Sequence, residues 1–270
     1  MLRNATNLLT KWNARKNRKP LIVWGARQVG KTYLVKDIFA EEYYSNAYIY
    51  IDFKIEDEIR DFCDHTANAE KIIEYISLYK GKDITKNTLL IFDEIQECPN
   101  IISSLKYFCQ DFREIPVIAT GSMVRIRLQR ELTRNGSTQK FMFPVGKIEQ
   151  LTIYPLSFDE FLLNSNEKLF NAAKKAYESR TPLNGSIHEL VLNEFYKYLL
   201  IGGMPEAVNT YFESNSFLES RRVLKDLYDN YLSDMELYQA SRESCLRSKN
   251  LFSNIYGQLN KESKNFSPGY

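Results

Sequence analysis

Cysteine is scarce and unpaired in this sequence. Cys63, Cys98, Cys109 and Cys245 fall without any C-x-x-C spacing, which argues against both a zinc site and a disulfide framework and leaves buried thiols as the better reading. Long apolar runs are missing too. No segment holds about 18 uninterrupted apolar residues, the length a membrane-spanning helix needs. The opening stretch MLRNATNLLTKWNARKNRKP lacks an apolar core followed by a small-residue cleavage site, so no secretory leader is predicted and a cytoplasmic protein with no membrane partner is expected. Charge of one sign is also lacking: the formal net charge is +2, and bulk electrostatics therefore points to no particular partner. Internal repeats and low-complexity tracts are absent as well.

What is there is an ordinary globular composition, 44% hydrophobic and 26% charged over 270 residues, enough for a large core domain and a smaller C-terminal one. Two textures follow one another. Up to about residue 155, short apolar runs alternate with amphipathic stretches: Leu21–Trp24, Ala47–Phe53, Leu89–Phe92, Val117–Thr120 and Glu149–Tyr154. That alternation predicts an α/β fold with a parallel sheet. From Pro155 the apolar spacing becomes three and four residues, in Phe158–Asn164, Ile187–Leu200, Pro205–Phe212 and Phe217–Tyr238, which predicts helices. The segment Asn135–Phe143, polar with Gly136 near its centre, is the expected mobile loop.

The chemistry concentrates in three places. GARQVGKT, running Gly25, Ala26, Arg27, Gln28, Val29, Gly30, Lys31, Thr32, fits the phosphate-loop pattern G-x-x-x-x-G-K-[ST]. It lies between the apolar run LIVW and the helical run that Tyr33 opens, where that pattern has to lie. Gly25 and Gly30 let the backbone fold so that amides point at phosphate oxygens, and the following helix offers its positive end. Lys31 is expected to bridge the β and γ phosphates of ATP, and Thr32 to give its hydroxyl to Mg2+. LLIFDEIQ ends a second apolar run in Asp93 and Glu94, at the strand edge where α/β sheets bind ligands. Asp93 is expected to hold magnesium through water, and Glu94 to orient and deprotonate the attacking water. VIATGS ends a third run in Thr120 and Ser122; either could sense the γ phosphate, or both could cap a helix starting at Met123. Arg125, Arg127, Arg130 and Arg134 follow. An arginine finger would be sought there, although a solvated basic helix face is the better reading. The same holds for Lys11, Arg15, Lys16, Arg18 and Lys19.

Together KPLIVWGARQVGKT, LLIFDEIQECP, ATGS, IYPLSFDEF at Ile153–Phe161 and GGMPEAV at Gly202–Val208 make the chain resemble prokaryotic AAA-type P-loop ATPases, similar to the signal-transduction ATPases, that are joined to a C-terminal domain of unknown function. The resemblance implies five parallel strands in the order 5-1-4-3-2 with a helical lid. The expected division is residues 1–155 for the ATPase core, 156–240 for the lid and 241–270 for the start of a winged-helix-like segment. It also implies that Pro205, in Gly203-Met204-Pro205, packs on the adenine. One position departs: where family members carry Gly-Arg before the PLSF run, this chain has Gly146-Lys147, which keeps the charge without the planar fork. Relatives continue beyond the winged segment into a nuclease-like domain, so a chain ending at Tyr270 is expected to be truncated.

The expected function is an ATP-binding, magnesium-dependent, slowly hydrolysing switch coupled to an effector protein. The alternatives are a nucleic-acid-binding module ordered by ATP, with the winged segment as reader, and a nucleotide-binding scaffold without turnover. Leu251, Phe252, Ile255, Tyr256 and Leu259 recur at three- and four-residue spacing and predict an apolar stripe that needs a partner, with self-association as one outcome.

Overall fold

The computed structural model of the chain describes residues 1–122, 143–237 and 242–260. The arginines at 125, 127, 130 and 134, the helix expected from Met123 and the loop at 135–142 lie outside the described residues.

Five parallel strands, β1 (Leu21–Gly25), β2 (Tyr48–Asp52), β3 (Leu89–Asp93), β4 (Val117–Gly121) and β5 (Glu149–Ile153), form one sheet ordered β2-β3-β4-β1-β5. This is the expected 5-1-4-3-2 order seen from the opposite edge. The central strands read as unbroken apolar runs because both of their faces are covered: β3 and β4 are buried at every residue, and β1 at four of its five. Of the outer strands, β2 alternates between half-buried and buried positions, while β5 alternates between half-buried and exposed ones until the buried Ile153. Successive side chains point to opposite faces. Ile22, Trp24, Leu90, Phe92, Val117 and Ala119 thus build one core with α3 (Asp57–Asp64), α4 (Ala69–Lys80) and α5 (Pro99–Asp111). Leu21, Val23, Leu89, Ile91 and Ile118 build the other with α1 (Asn4–Asn13) and α2. Helix α2 follows the phosphate loop; it is wound as a wider π-helix over Tyr33–Ala40 and runs on as α-helix over Glu41–Tyr43. Cys63, Cys98 and Cys109 are free, buried thiols, and hydrogen bonding to Cys63 together with burial pushes the Cys98 thiol up.

A helical layer follows: α6 (Phe158–Ser165), α7 (Glu167–Ser179), α8 (Gly185–Ile201), α9 (Pro205–Ser214) and α10 (Phe217–Leu237), then α11 (Arg242–Leu259). Four of these match the helical spacing. α7 has no counterpart among the expected helices, although Leu169, Phe170, Ala172, Ala173 and Ala176 recur at helical spacing and are half-buried; its start is set locally by Asn166, whose side chain accepts from the Leu169 N–H at 3.1 Å. α11 begins well before Leu251. It lies on α10 through Phe252, whose ring is 5.4 Å from Tyr228. Leu251, Ile255, Tyr256 and Leu259 are exposed. No described helix is long and apolar enough to cross a membrane.

The lid is joined to the sheet where β5 ends. Ser157 and Glu160 close a capping box at the start of α6, so the SFDE of the PLSFDEF run is a helix-start signal. Leu156, Phe161, Ile201, Val208 and Tyr211 form the lid's own core. The Leu156 N–H donates to the Gly203 carbonyl at 2.6 Å, and a Cβ on Gly203 would stand 2.1 Å from the Leu156 carbonyl oxygen. Glycine is required there by close backbone approach. Gly203→Ala is expected to destabilise the fold by about 1–3 kcal/mol through forced separation of the two backbones, read as a lower denaturant midpoint; a midpoint equal to wild type would show that the joint is compliant.

Candidate functional site

The phosphate loop leaves β1 at Gly25, where a Cβ would meet the Ile153 carbonyl oxygen at 2.6 Å and Val29 Cγ2 at 2.9 Å. Two residues then take left-handed backbone, Gln28 with φ 63° and Gly30 with φ 85°. Glycine adopts this freely, whereas for glutamine it costs roughly 1 kcal/mol or more and persists only where the surroundings hold it. Lys31 is buried, and its ammonium folds back to donate to the Ala26 carbonyl at 2.8 Å and the Gly25 carbonyl at 3.2 Å. An anionic oxygen entering the loop competes for that same ammonium.

Thr32 and Asp93 meet directly: the Thr32 hydroxyl donates to Asp93 Oδ2 at 2.7 Å. Asp93 is 3% exposed and is compensated by further donors. The Tyr50 hydroxyl reaches the same Oδ2 at 2.8 Å, the Glu94 N–H reaches Oδ1 at 2.9 Å, and the Thr120 hydroxyl also donates to Oδ1. A hydroxyl beside a carboxylate is the hard-oxygen donor set that magnesium takes, with water completing the shell, so the pair fits that ion. No described group of three or more His, Cys, Asp or Glu residues forms a protein-only cage for a metal.

Glu94 follows Asp93 in left-handed backbone, φ 53° and ψ 44°, before the short 3-10 turn Ile95–Glu97. Its carboxylate accepts from Gln96 Nε2. Of the two residues proposed at the β4 tip, Thr120 is completely buried and committed to Asp93. Ser122 lies further out, its N–H donating to Gln96 Oε1 at 3.2 Å. Tyr33 is half exposed at the start of α2. The Pro205 ring stands over the loop: a Cβ on Gly30 would be 3.7 Å from Pro205 Cγ, an ordinary contact distance.

Four participants have no counterpart among the residues singled out by motif. Tyr50 and Asp52 come from the tip of β2, with Asp52 opposite Asp93 in the strand register. Burial, chiefly, raises the Tyr50 hydroxyl far above its usual range, with the Asp93 charge and hydrogen bond adding to it. Asp52 is raised by burial first; the Lys54 N–H opposes the shift, and the Asp93 and Glu94 carboxylates add to it. Arg3 donates to the Val29 carbonyl of the loop at 3.3 Å and the Tyr154 carbonyl at 2.5 Å, and pairs with Glu160 at 3.3 Å. Gln96 is the fourth. A polar residue recurring at the strand ends was the available signal for Tyr50 and Asp52; nothing local marks Arg3.

A phosphate loop after β1, an acidic pair at the end of β3 and a polar tip on the strand inserted between them define a P-loop protein of the nucleotide-binding type. A family match to the AAA domain covers residues 17–162, just over half of the chain, and the chain belongs to that family. No curated protein matches the sequence. Among solved structures the chain is similar to the Walker-type ATPase paby2304 of Pyrococcus abyssi, with 17% identity and a TM-score of 0.48 over 86% of this chain and 74% of that one. It is also similar to AMPPCP-bound DnaA from Aquifex aeolicus, with 14% identity and a TM-score of 0.36 over 91% and 74%. The Drosophila ORC bound to DNA is a third, with 13% identity and a TM-score of 0.39 over 97% and 68%.

Tyr50→Phe removes one of the donors to Asp93 and is expected to cost about 1–2 kcal/mol at neutral pH. Because the folded-state pKa of Tyr50 is raised, its contribution is present below the unfolded value of about 10 and is lost as pH rises beyond it. The gap between wild type and Tyr50→Phe in thermal melting should therefore narrow above about pH 10; a gap that widens there contradicts the assignment.

Proposed function

We propose that the chain binds ATP with magnesium across the tips of β1, β3 and β4 and hydrolyses it slowly, as a switch on the position of the lid. The observation that carries this is the Thr32–Asp93 contact at 2.7 Å, since it joins two motifs 61 residues apart in the pair of oxygens that magnesium–triphosphate sites use. Magnesium, when bound, neutralises charge on the β and γ phosphates. The loop amides and the Lys31 ammonium hold the phosphate oxygens, and the ammonium exchanges its two carbonyl acceptors for them. Glu94 orients a water toward the γ phosphorus and accepts its proton, a task in which position matters more than basicity. The Pro205 ring and neighbouring Met204 give the adenine a flat apolar surface.

Coupling to the helical part is supported at the loop's outer edge. Arg27 pairs with Asp234 of α10 at 2.6 Å, and the Tyr231 hydroxyl of α10 donates to the Arg27 carbonyl at 2.7 Å. A loop that rearranges around a triphosphate pulls on α10, and through Tyr228, Tyr231 and Phe252 on α11. That is the path by which nucleotide state reaches an effector protein.

Two substitutions test this. Wild type with ATP and magnesium at about 100 times Kd should gain about 2.7 kcal/mol of stability, and Lys31→Ala should lose nearly all of it in thermal melting; an undiminished gain would remove the loop from the site. Glu94→Gln should keep that gain while phosphate release falls by about 100-fold to 10,000-fold. Equal release from both proteins would take Glu94 out of the mechanism and favour a scaffold without turnover.

A further inference from the structure

Gln96 has no task in the reaction as described, yet it is completely buried, at 0% exposure. A buried primary amide needs partners for both its N–H2 and its carbonyl oxygen. Here Nε2 donates to Glu94 Oε2 and Oε1 accepts the Ser122 N–H at 3.2 Å. The side chain therefore spans from the carboxylate at the end of β3 to the backbone at the end of β4. Its orientation follows from its partners: a backbone N–H only donates and must face the amide oxygen, which leaves the amide nitrogen toward Glu94, where only an acceptor fits. Gly121 makes the room. A Cβ there would lie 2.9 Å from Gln96 Oε1 and 2.9 Å from Ile95 Cγ1. The left-handed backbone of Glu94 is a conformation that a glutamate keeps only where its surroundings over-determine it, and the Gln96 amide is one such constraint.

We infer that Gln96 is a positioning residue that holds the Glu94 carboxylate in register with the tip of β4, so that the base and the strand beside the γ-phosphate site move as one unit. The catalytic consequence rests on the ATPase reading; the contact itself does not. A general base displaced by even 1 Å loses about 100-fold in rate, and a buried amide tied at both ends is a device against that displacement.

Gln96→Glu keeps the shape and the acceptor for Ser122 but sets a second carboxylate against Glu94. The melting temperature of Gln96→Glu should therefore fall below that of wild type at neutral pH. Exchanging the pair, Glu94→Gln with Gln96→Glu, restores a donor facing an acceptor and should recover part of that loss. A melting temperature unchanged in Gln96→Glu, or an exchanged protein no more stable than Gln96→Glu alone, overturns the inference whatever the turnover. For the catalytic role, Gln96→Met should lower kcat by about tenfold to 100-fold with KM for ATP nearly unchanged; if that protein does not fold, Gly121→Ala, whose Cβ displaces the amide, should do the same. A wild-type kcat in either variant, beside an inactive Glu94→Gln, also overturns it. A wild type that releases no phosphate overturns the ATPase reading instead, and the stability of the single and exchanged variants then decides the contact alone.

Discussion

A buried carboxylate is costly unless hydrogen bonds replace its water, and this structure is organised around how Asp93 meets that requirement. Its two oxygens take donors from four places: Thr32 after the phosphate loop, Tyr50 on β2, Thr120 on β4 and the Glu94 N–H. No one of these segments could satisfy the charge. Their convergence fixes the spacing of β2, β3, β4 and the start of α2 before any ligand arrives. In the proposed reading a cation would meet a frame already built, and little reorganisation would be needed.

A second buried charge does the same for the junction between sheet and lid. Arg3 and Glu160 have side chains 10% and 8% exposed and stand 3.3 Å apart. Arg3 also donates to carbonyls of the phosphate loop and of the chain leaving β5, while Glu160 takes the Asn4 N–H at 2.7 Å. The first residues of the chain are thereby tied to both the loop and the first lid helix. Breaking such a pair from one side leaves an uncompensated buried charge, at a cost of about 3–5 kcal/mol. The Leu156–Gly203 backbone contact and the Arg27–Asp234 pair complete three points of attachment around the loop, so a change in loop shape has rigid elements to act on.

Much of this was legible along the chain, and the reason is local. A strand covered on both faces must be an apolar run, and LIVW, LLIF and VIAT have no other economical reading. The phosphate loop is legible because its glycines answer backbone demands within eight residues, seen in the φ of Gly30 and the crowding at Gly25. The partners of Tyr50, Asp52, Arg3 and Gln96 were not legible. Each acts across the sheet or across the joint, and the alternation that put Tyr50 on its strand is the same whether its hydroxyl meets a carboxylate or solvent. Helix α7 was missed although its apolar residues keep helical spacing: three of the five on its inner face, Ala172, Ala173 and Ala176, are alanines, whose small side chains mark a stripe only weakly.

By itself the sequence determined the five strands, their place along the chain and the backbone of the phosphate loop, since propensity, apolar period and glycine geometry are properties of short segments. Only the tertiary structure decided which side chains share a site. The sheet order inserts β4 between β1 and β3, so residues separated by dozens of positions come within hydrogen-bond reach, and burial makes every polar group among them find a partner. That requirement selects Tyr50 and Thr120 for Asp93 and the Ser122 N–H for Gln96, and it arises only when the strands lie side by side.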